Sequence, residues 1–187
     1  AVARNYETYT LYPGSSPESR QATIDSLNTG YNHVIHVGHG FRFNMSVADA
    51  SVVNADAAAL TNGVKLANMN LLNCTAAAYT YECLAEYFLR NPNGGAVSVV
   101  GSNDSAFPTV ATDYMIEFYD LIMMQGVVHL GEAFARSREP RTGYAEADDL
   151  GDRWTHFTYT LLGDPEMPLW TGPVSTLAVA HPSSVGK

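Results

Sequence analysis

The sequence has little positive charge and no long apolar run, and each shortage excludes a kind of partner. Lys and Arg number 10 against 19 Asp and Glu in 187 residues, a net charge of -9. Nucleic acids and anionic membranes favour a basic protein face, so neither is expected as a partner. No apolar stretch reaches the roughly 20 residues that span a membrane. With 46% hydrophobic and 16% charged residues, the composition is that of one globular domain with a sizeable core.

Cysteine is also scarce, and two residues decide little about the redox compartment. We place Cys74 at the end of a predicted strand and Cys83 two turns into the helix predicted after it. At ~1.5 Å of rise per residue the two Cα atoms are on the order of 10 Å apart, whereas a disulfide needs them within roughly 7 Å. We therefore predict two free thiols, with Cys83 packed in the core on the apolar face of its helix.

Short apolar runs alternate with segments of helical periodicity, which is typical of a largely parallel sheet covered by helices on both faces. Strands are predicted at residues 34–37, 66–72, 96–100 and 169–170. Helices are predicted at residues 17–28, 76–90, 109–125, 128–138 and 153–162, with loops at 47–62 (containing a short helix at 56–60) and at 141–152. The fold class is therefore α/β, a three-layer sandwich around a mostly parallel sheet.

Two of the predicted strands end in a residue that can take part in catalysis. One strand runs directly into His39, which stands between two glycines, and the next ends at Cys74. Functional sites of open parallel sheets gather at the carboxyl ends of the strands, and neighbouring strands lie roughly 4.8 Å apart. Adjacent strand ends would bring the imidazole and the thiol into one crevice, as a thiol nucleophile with its acid/base requires.

The position of Cys74 just before a predicted helix favours the thiolate, because unpaired N–H groups and the helix dipole stabilise negative charge there. The same N–H groups can bind an oxyanion, and Gly40, which has no side chain to block its N–H, offers a second donor. The alternative interpretation is that Cys74 is a small buried core residue and that His39 only satisfies a turn.

Three evenly spaced histidines, His33, His36 and His39, raise the question of a metal site. In a strand His36 faces opposite to the other two, and His33 and His39 lie about 20 Å apart along it. A three-histidine site would need a helix, whereas the β-branched residues between these histidines favour a strand. No metal site is therefore predicted.

An apolar strand ending in His-Gly, followed by one ending in Cys, resembles the cysteine peptidases with the caspase fold. Three further features resemble the gingipains among them: Gly-His-Gly at 38–40, the stretch from Asn-Cys at 73–74 to Cys-Leu-Ala-Glu at 83–86, and Leu-Gly-Asp-Pro at 162–165. The nucleophile follows the histidine by 35 positions. The resemblance spans roughly residues 30–171 and implies a caspase/gingipain-like fold.

By this resemblance His39 is the catalytic histidine, Cys74 is the nucleophile, and the N–H groups of Gly40 and Cys74 form the oxyanion hole. The pocket for the residue before the scissile bond would have walls from Val37, Gly38, Leu72, Asn73 and Phe107, with Phe107 as its lid. The implied activity is a cysteine endopeptidase, extracellular or at the cell surface, that cleaves peptide or protein substrates after Lys or Arg.

The same resemblance implies that the chain is one part of a larger catalytic domain. In gingipains this domain is two side-by-side α/β subdomains, and residues 1–171 would be the second. The acidic residues that orient the histidine and bind a basic side chain belong to the first. We expect the N-terminal half as a separate chain released by processing, and Lys187 is compatible with cleavage after lysine by the enzyme itself. Residues 172–187 are then a tail or the start of an immunoglobulin-like module.

The expected chemistry requires no cofactor, and a structural calcium ion is compatible with the resemblance, although the sequence contains no EF-hand loop. Two other functions are considered beside the peptidase. A catalytically inactive caspase-like scaffold or binding domain would have an unreactive Cys74, or a crevice filled by its own loops. A transpeptidase or ligase would use the same thiol but pass the acyl group to an amine.

Overall fold

The computed structural model describes residues 7–11, 19–48, 50–147 and 150–170, which form two sheets with helices around them. The helices are α1 (Arg20–Thr29), α2 (Asn54–Ala59), α3 (Leu84–Arg90), α4 (Pro108–Met123), α5 (Leu130–Arg136), α6 (Thr142–Glu146) and α7 (Leu150–Thr158), with a 3-10 turn at Glu139–Arg141. The strands are β1 (His33–Val37), β2 (Gly40–Phe41), β3 (Asn44–Val47), β4 (Ala50–Val53), β5 (Ala67–Leu72), β6 (Ala96–Ser102) and β7 (Tyr159–Leu162).

The main sheet has the strand order β1-β5-β6-β7. The first three strands are parallel, and β7 pairs with β6 in the antiparallel direction. A second, small antiparallel sheet consists of β2, β3 and β4. The predicted α/β class with a mostly parallel main sheet is therefore confirmed.

The core lies on both faces of the main sheet, because alternate residues of a strand point to opposite faces. Met69, Leu71 and Val99 belong to a buried cluster with α1, α2, α3 and the small sheet. Val100 packs on the other face with Tyr114 of α4 and Tyr159 of β7, and α4 continues into a further cluster with α5. Full burial of such side chains contributes roughly 1.5–3 kcal/mol each, so both layers hold the sheet in place.

Helix α4 shows how the sequence produces one of these layers. Pro108 occupies its first turn, where a missing N–H costs no hydrogen bond. Its buried residues recur every three or four positions, at Ala111, Tyr114, Phe118, Leu121 and Ile122, which is one face of a helix. The residue just before the helix is Phe107, so this packing also positions the predicted lid.

The helix predicted at 76–90 is wrong for its first half, since α3 begins only at Leu84. The alanines at its predicted start are buried in turns, where the Ala77 N–H donates to the Ser102 C=O at 3.0 Å and Ala76 accepts from Ala85 at 3.0 Å. These tertiary contacts outweigh the helix propensity of alanine. Cys83 is consequently the residue that caps α3, not one in mid-helix.

Four other predictions differ from the structure. The loop predicted at 47–62 contains β4, although its short helix, predicted at 56–60, is present as α2; the loop predicted at 141–152 contains α6 and the start of α7. The helix predicted at 153–162 ends at Thr158, and β7 follows it. The strand predicted at 169–170 is absent from the described residues; an isolated bridge joins Pro168 to His129 instead. The predicted tail at 172–187 lies outside the described residues.

Candidate active site

The carboxyl ends of β1 and β5 lie side by side at one edge of the main sheet. The parallel ladder pairs Val37 with Leu72, and the Gly38 N–H donates to the Leu72 C=O at 3.3 Å. His39 and Cys74 each follow two positions after these paired residues. Paired residues in neighbouring strands point to the same face, so the two candidate catalytic residues leave the sheet from matching positions.

His39 is held by its backbone. Its C=O accepts a hydrogen bond from the Ser46 N–H at 2.8 Å, at the point where the chain enters the β2-β3 hairpin. The imidazole is exposed, and within the described ranges it has no side-chain hydrogen bond or ion pair. The orienting partner that an acid/base histidine uses is thus not supplied by the described residues.

Gly40 lies so close to Asn73 that no side chain fits there. An added Cβ would be 2.6 Å from Asn73 Nδ2 and 2.9 Å from a backbone carbonyl oxygen of β3. Hydrogen-bonded and non-hydrogen-bonded pairs alternate along an antiparallel ladder, and the bond between Ser46 and His39 makes the next pair, Gly40 with Met45, a non-hydrogen-bonded one. The Gly40 N–H therefore points away from β3.

From the sequence, His36 is considered only as a metal ligand, and that role is rejected. In the structure its imidazole forms hydrogen bonds to β3 and to the residue that follows β5. Its Nε2 donates to the Ser46 C=O at 2.8 Å, and its Nδ1 accepts from Asn73 Nδ2 at 3.4 Å. Asn73 is 1% exposed, so its side chain is turned into this network. The only indication of this contact in the sequence is a polar residue, Asn73, at the end of one predicted strand and a histidine, His36, in the neighbouring one.

Cys74 is half-buried, and the Ala106 N–H donates to its Sγ at 3.5 Å. The next residue, Thr75, has a φ of 54°, a left-handed conformation that is unusual for a β-branched residue. Its N–H donates to the Asp104 C=O at 2.9 Å. The helix-dipole argument for Cys74 is wrong, because α3 starts ten positions later at Leu84; the loop after β6 supplies the donor instead.

Cys83 is more deeply buried than Cys74. It is fully buried in the core cluster, as predicted, and burial raises the pKa of its thiol. Its N–H donates to Glu86 Oε2 at 2.9 Å. Both cysteines are free, which confirms the prediction of two free thiols, although the helical spacing on which that prediction depended is wrong.

The predicted pocket walls divide between the two faces of the sheet. Val37 and Leu72 are register partners on the face covered by α4, whereas Gly38 and Asn73 follow them on the opposite face. Val37 is 59% exposed and Leu72 is buried. Phe107 lies in the loop after β6, directly before α4. Together with Leu72 it lines a crevice that leaves no room for a water molecule.

No three His, Cys, Asp or Glu side chains converge on a possible metal position within the described ranges. Calcium also binds backbone and amide oxygens, so the structural calcium ion stays a prediction. His33 and His36 lie on β1, which is a strand as predicted. In the same part of the chain, no helix combines the length and the apolar character needed to cross a membrane.

The sequence was also compared with known protein families. The family model described as Peptidase family C25 matches residues 1–170. The chain belongs to this family, the gingipain family of cysteine peptidases. The match covers all described residues of this C25 chain, including both strand ends, His39 and Cys74. No curated protein matches the sequence.

Solved structures have the same fold. The C25 chain is similar to the Arg-specific cysteine proteinase gingipain R (RgpB), with a TM-score of 0.71 at 19% identity over 86% of this chain and 38% of that one. For the complex of Porphyromonas gingivalis RgpB pro- and mature domains the TM-score is 0.72 at 19% identity, over 86% and 38%. For a structure described as a protease it is 0.68 at 18% identity, over 87% and 40%. The chain thus spans about two-fifths of these structures, and the predicted gingipain-like fold is confirmed.

Proposed function

We propose that this chain carries the nucleophile and the acid/base histidine of a cysteine endopeptidase. The observation that carries the proposal is the register of β1 and β5, which sets His39 and Cys74 two positions beyond paired residues at adjacent strand ends. A half-buried thiol that accepts an N–H, with an exposed imidazole following the end of the neighbouring strand, is a suitable starting arrangement for this chemistry. Membership of a cysteine peptidase family supports the same roles.

In the proposed reaction His39 accepts the proton of the Cys74 thiol, and Cys74 Sγ attacks the carbonyl carbon of the scissile peptide bond. The N–H groups of Gly40 and Cys74 stabilise the oxyanion, a role for which the Gly40 N–H is available because it points away from β3. His39 protonates the leaving amine, and the acyl group stays on sulfur as a thioester. His39 then activates a water molecule that hydrolyses the thioester and restores the thiol. These steps need no cofactor.

Cleavage after Lys or Arg is the proposed specificity. Val37, Leu72 and Phe107 would form apolar walls for the stem of a long basic side chain, while Gly38 and Asn73, whose side-chain positions face the other way, would contribute through their backbone. The net charge of -9 is compatible with a basic substrate. An extracellular or cell-surface location is proposed from the family resemblance.

The same proposal includes the N-terminal half of the domain as a separate chain. Strand β1 is an edge of the main sheet in the described part of the chain, and its Ile35 and Val37 are 48% and 59% exposed. Proteins usually cover such apolar edges. A partner seated on this edge would also be close to His39, whose side chain has no partner among the described residues, and could supply the orienting acid.

A catalytically inactive scaffold is the second candidate, and one observation favours it. The crevice between Leu72 and Phe107 is closed by the chain's own side chains and leaves no room for a water molecule. A peptidase would have to open this crevice to bind the substrate residue before the scissile bond there, or it would have to bind that residue elsewhere. The scaffold candidate predicts that Cys74 does not react with any substrate-like reagent.

The test uses the native preparation, including any co-purifying chain, and peptidyl acyloxymethyl ketones with Lys, Arg, Asp or Asn next to the reactive group. We expect Cys74 to be labelled, Lys and Arg reagents to react fastest, and Cys74→Ala to abolish labelling and peptidase activity. Cys83→Ala is the matched control and should retain both. Absence of labelling in material that contains both halves would support the scaffold. An added amine nucleophile that captures the acyl group would instead identify a transpeptidase or ligase.

A further inference from the structure

One peptide unit joins the candidate nucleophile to helix α7. The indole Nε1–H of Trp154 donates to the C=O of Ser105 at 2.6 Å. The N–H of the following residue, Ala106, donates to Cys74 Sγ at 3.5 Å. This C=O and this N–H belong to the same planar, trans peptide unit, so they point in opposite directions. Fixing the carbonyl on the side of Trp154 therefore fixes the direction of the N–H toward the sulfur.

The start of the loop that contains this peptide unit is held by hydrogen bonds to two other parts of the fold. At its start, the Asn103 N–H donates to the Thr158 C=O at 2.8 Å, and Asp104 accepts from the Thr75 N–H at 2.9 Å. These bonds fix the beginning of the loop between α7 and the turn after Cys74. Ser105 itself is exposed, so without the indole its carbonyl would be free to turn toward solvent.

We propose that Trp154 is a positioning residue for the Cys74 nucleophile, an inference that rests on the proposed function. It holds the Ser105–Ala106 peptide so that the Ala106 N–H donates to the sulfur. A hydrogen bond to the charged form of a group stabilises that form, and successive hydrogen bonds polarise one another. This chain of two bonds does for the thiolate what a helix N-terminus does in other thiol enzymes, since α3 begins too far away to do so.

Helix α7 also packs against the rest of the domain, so loss of the indole ring could act through packing alone. An isostere separates the two effects. Replacing Trp154 with β-(3-benzothienyl)alanine keeps the shape of the ring but puts sulfur in place of the N–H. Trp154→Phe removes the N–H together with part of the ring. Phe157→Leu, at a highly exposed position of the same helix, is the matched control.

The measurement is the rate of Cys74 alkylation by iodoacetamide at neutral pH, followed by peptide mapping, in the full chain. Cys83 is fully buried and serves as an internal monitor, because it stays unmodified while the variant is folded. We expect both Trp154 variants to slow Cys74 alkylation by roughly tenfold, the equivalent of one charge-assisted hydrogen bond lost. Phe157→Leu should react at the wild-type rate.

Wild-type alkylation in the benzothienyl variant would overturn the proposal, since only the hydrogen bond differs. Slow alkylation in Trp154→Phe alone would likewise overturn it and assign the effect to packing. The proposed function has a separate readout, labelling of wild-type Cys74 by the peptidyl ketones. If the ketones label Cys74 but the Trp154 variants react normally, the peptidase stands and the positioning role fails. If the variants slow alkylation but no ketone labels the complete domain, Trp154 positions the thiol and the peptidase function fails.

Discussion

The two sides of the candidate site differ in how they are held. On the cysteine side, the Ala106 N–H donates to the sulfur, and Thr75 turns the chain sharply. The loop after β6, which contains Ala106, is hydrogen-bonded to α7. On the histidine side, the backbone of His39 is fixed by the β2-β3 hairpin, but its imidazole is exposed and has no side-chain partner within the described ranges. One side is assembled within this chain, and the other lacks its orienting group.

This difference separates two requirements of a thiol nucleophile. A hydrogen-bond donor to the sulfur is already present in this chain, the Ala106 N–H at 3.5 Å from Cys74 Sγ. Acid/base catalysis needs an oriented imidazole, and the described residues supply no hydrogen-bond or ion-pair partner to the side chain of His39. We therefore expect the isolated chain to have a reactive thiol and little peptidase activity.

Replacing His39 should have the largest effect and sharpens this comparison. In the complete domain, His39→Ala should lower kcat/KM by about 10²–10⁴-fold, the usual contribution of an acid/base group. In the isolated chain the same variant should alkylate at Cys74 as fast as wild type, because the imidazole has no hydrogen bond or ion pair within the described residues. His129→Ala, a change at an exposed histidine, is the control for both measurements. Equal slowing in the isolated chain would mean that the imidazole already pairs with the thiol.

Gly40→Ala should disturb the backbone that follows His39. The new Cβ would lie 2.6 Å from Asn73 Nδ2 and 2.9 Å from a backbone oxygen, and such overpacking costs about 1–3 kcal/mol. Urea unfolding should show this loss, and activity should fall with it. Gly143→Ala is the matched control, since no atom lies within 4 Å of its added Cβ, and it should unfold at or slightly above the wild-type midpoint. An unchanged Gly40→Ala midpoint would show that the hairpin can move away from Asn73.

The pair of His36 and Asn73 tests whether the two sides are joined. Asn73→Ala removes the donor to His36 Nδ1 and should lower the free energy of unfolding by about 1–2 kcal/mol. His36→Ala and the double variant complete a double-mutant cycle. We expect a coupling energy of about 0.5 kcal/mol or more, as for other contacting residues. A coupling near zero would mean that the two strand ends are independent of this contact.

The smallest effect is expected at Cys83. Burial raises the pKa of this thiol in the folded chain, so the folded state keeps the proton to higher pH than the unfolded state does. The stabilisation from this group is complete below the unfolded pKa and declines as the pH rises through the folded one. Unfolding curves across the alkaline range should show this decline in wild type and less of it in Cys83→Ala. A decline of the same size in both proteins would assign it to other groups.

The parts of the fold that the sequence predicted are those with a strong local signal. The β-branched run before His39 and the apolar run before Cys74 are both strands, and their order along the chain made them neighbours. Helical periodicity predicted the helix at 109–125, and both ends of α4 lie within two residues of that prediction. Strand identity and adjacency were enough to bring His39 and Cys74 to one edge.

The parts that were missed depend on contacts between distant residues. The alanines at 76–78 have helical propensity, but Ala77 bonds to Ser102 of β6, and no local pattern reveals that. β7 follows α7 without a break and becomes a strand because β6 offers it an edge. The bond from Trp154 to Ser105 joins residues 49 positions apart, so no local pattern predicts it.

The register of β1 and β5 also determines where this chain can change length. What places the two catalytic candidates together is the distance of each from its last paired residue, two positions in both strands, not the 35 positions between them. Insertions or deletions in the connection between α2 and β5 should therefore leave the site intact. A single residue inserted between Val37 and His39 would turn the imidazole to the other face of the sheet.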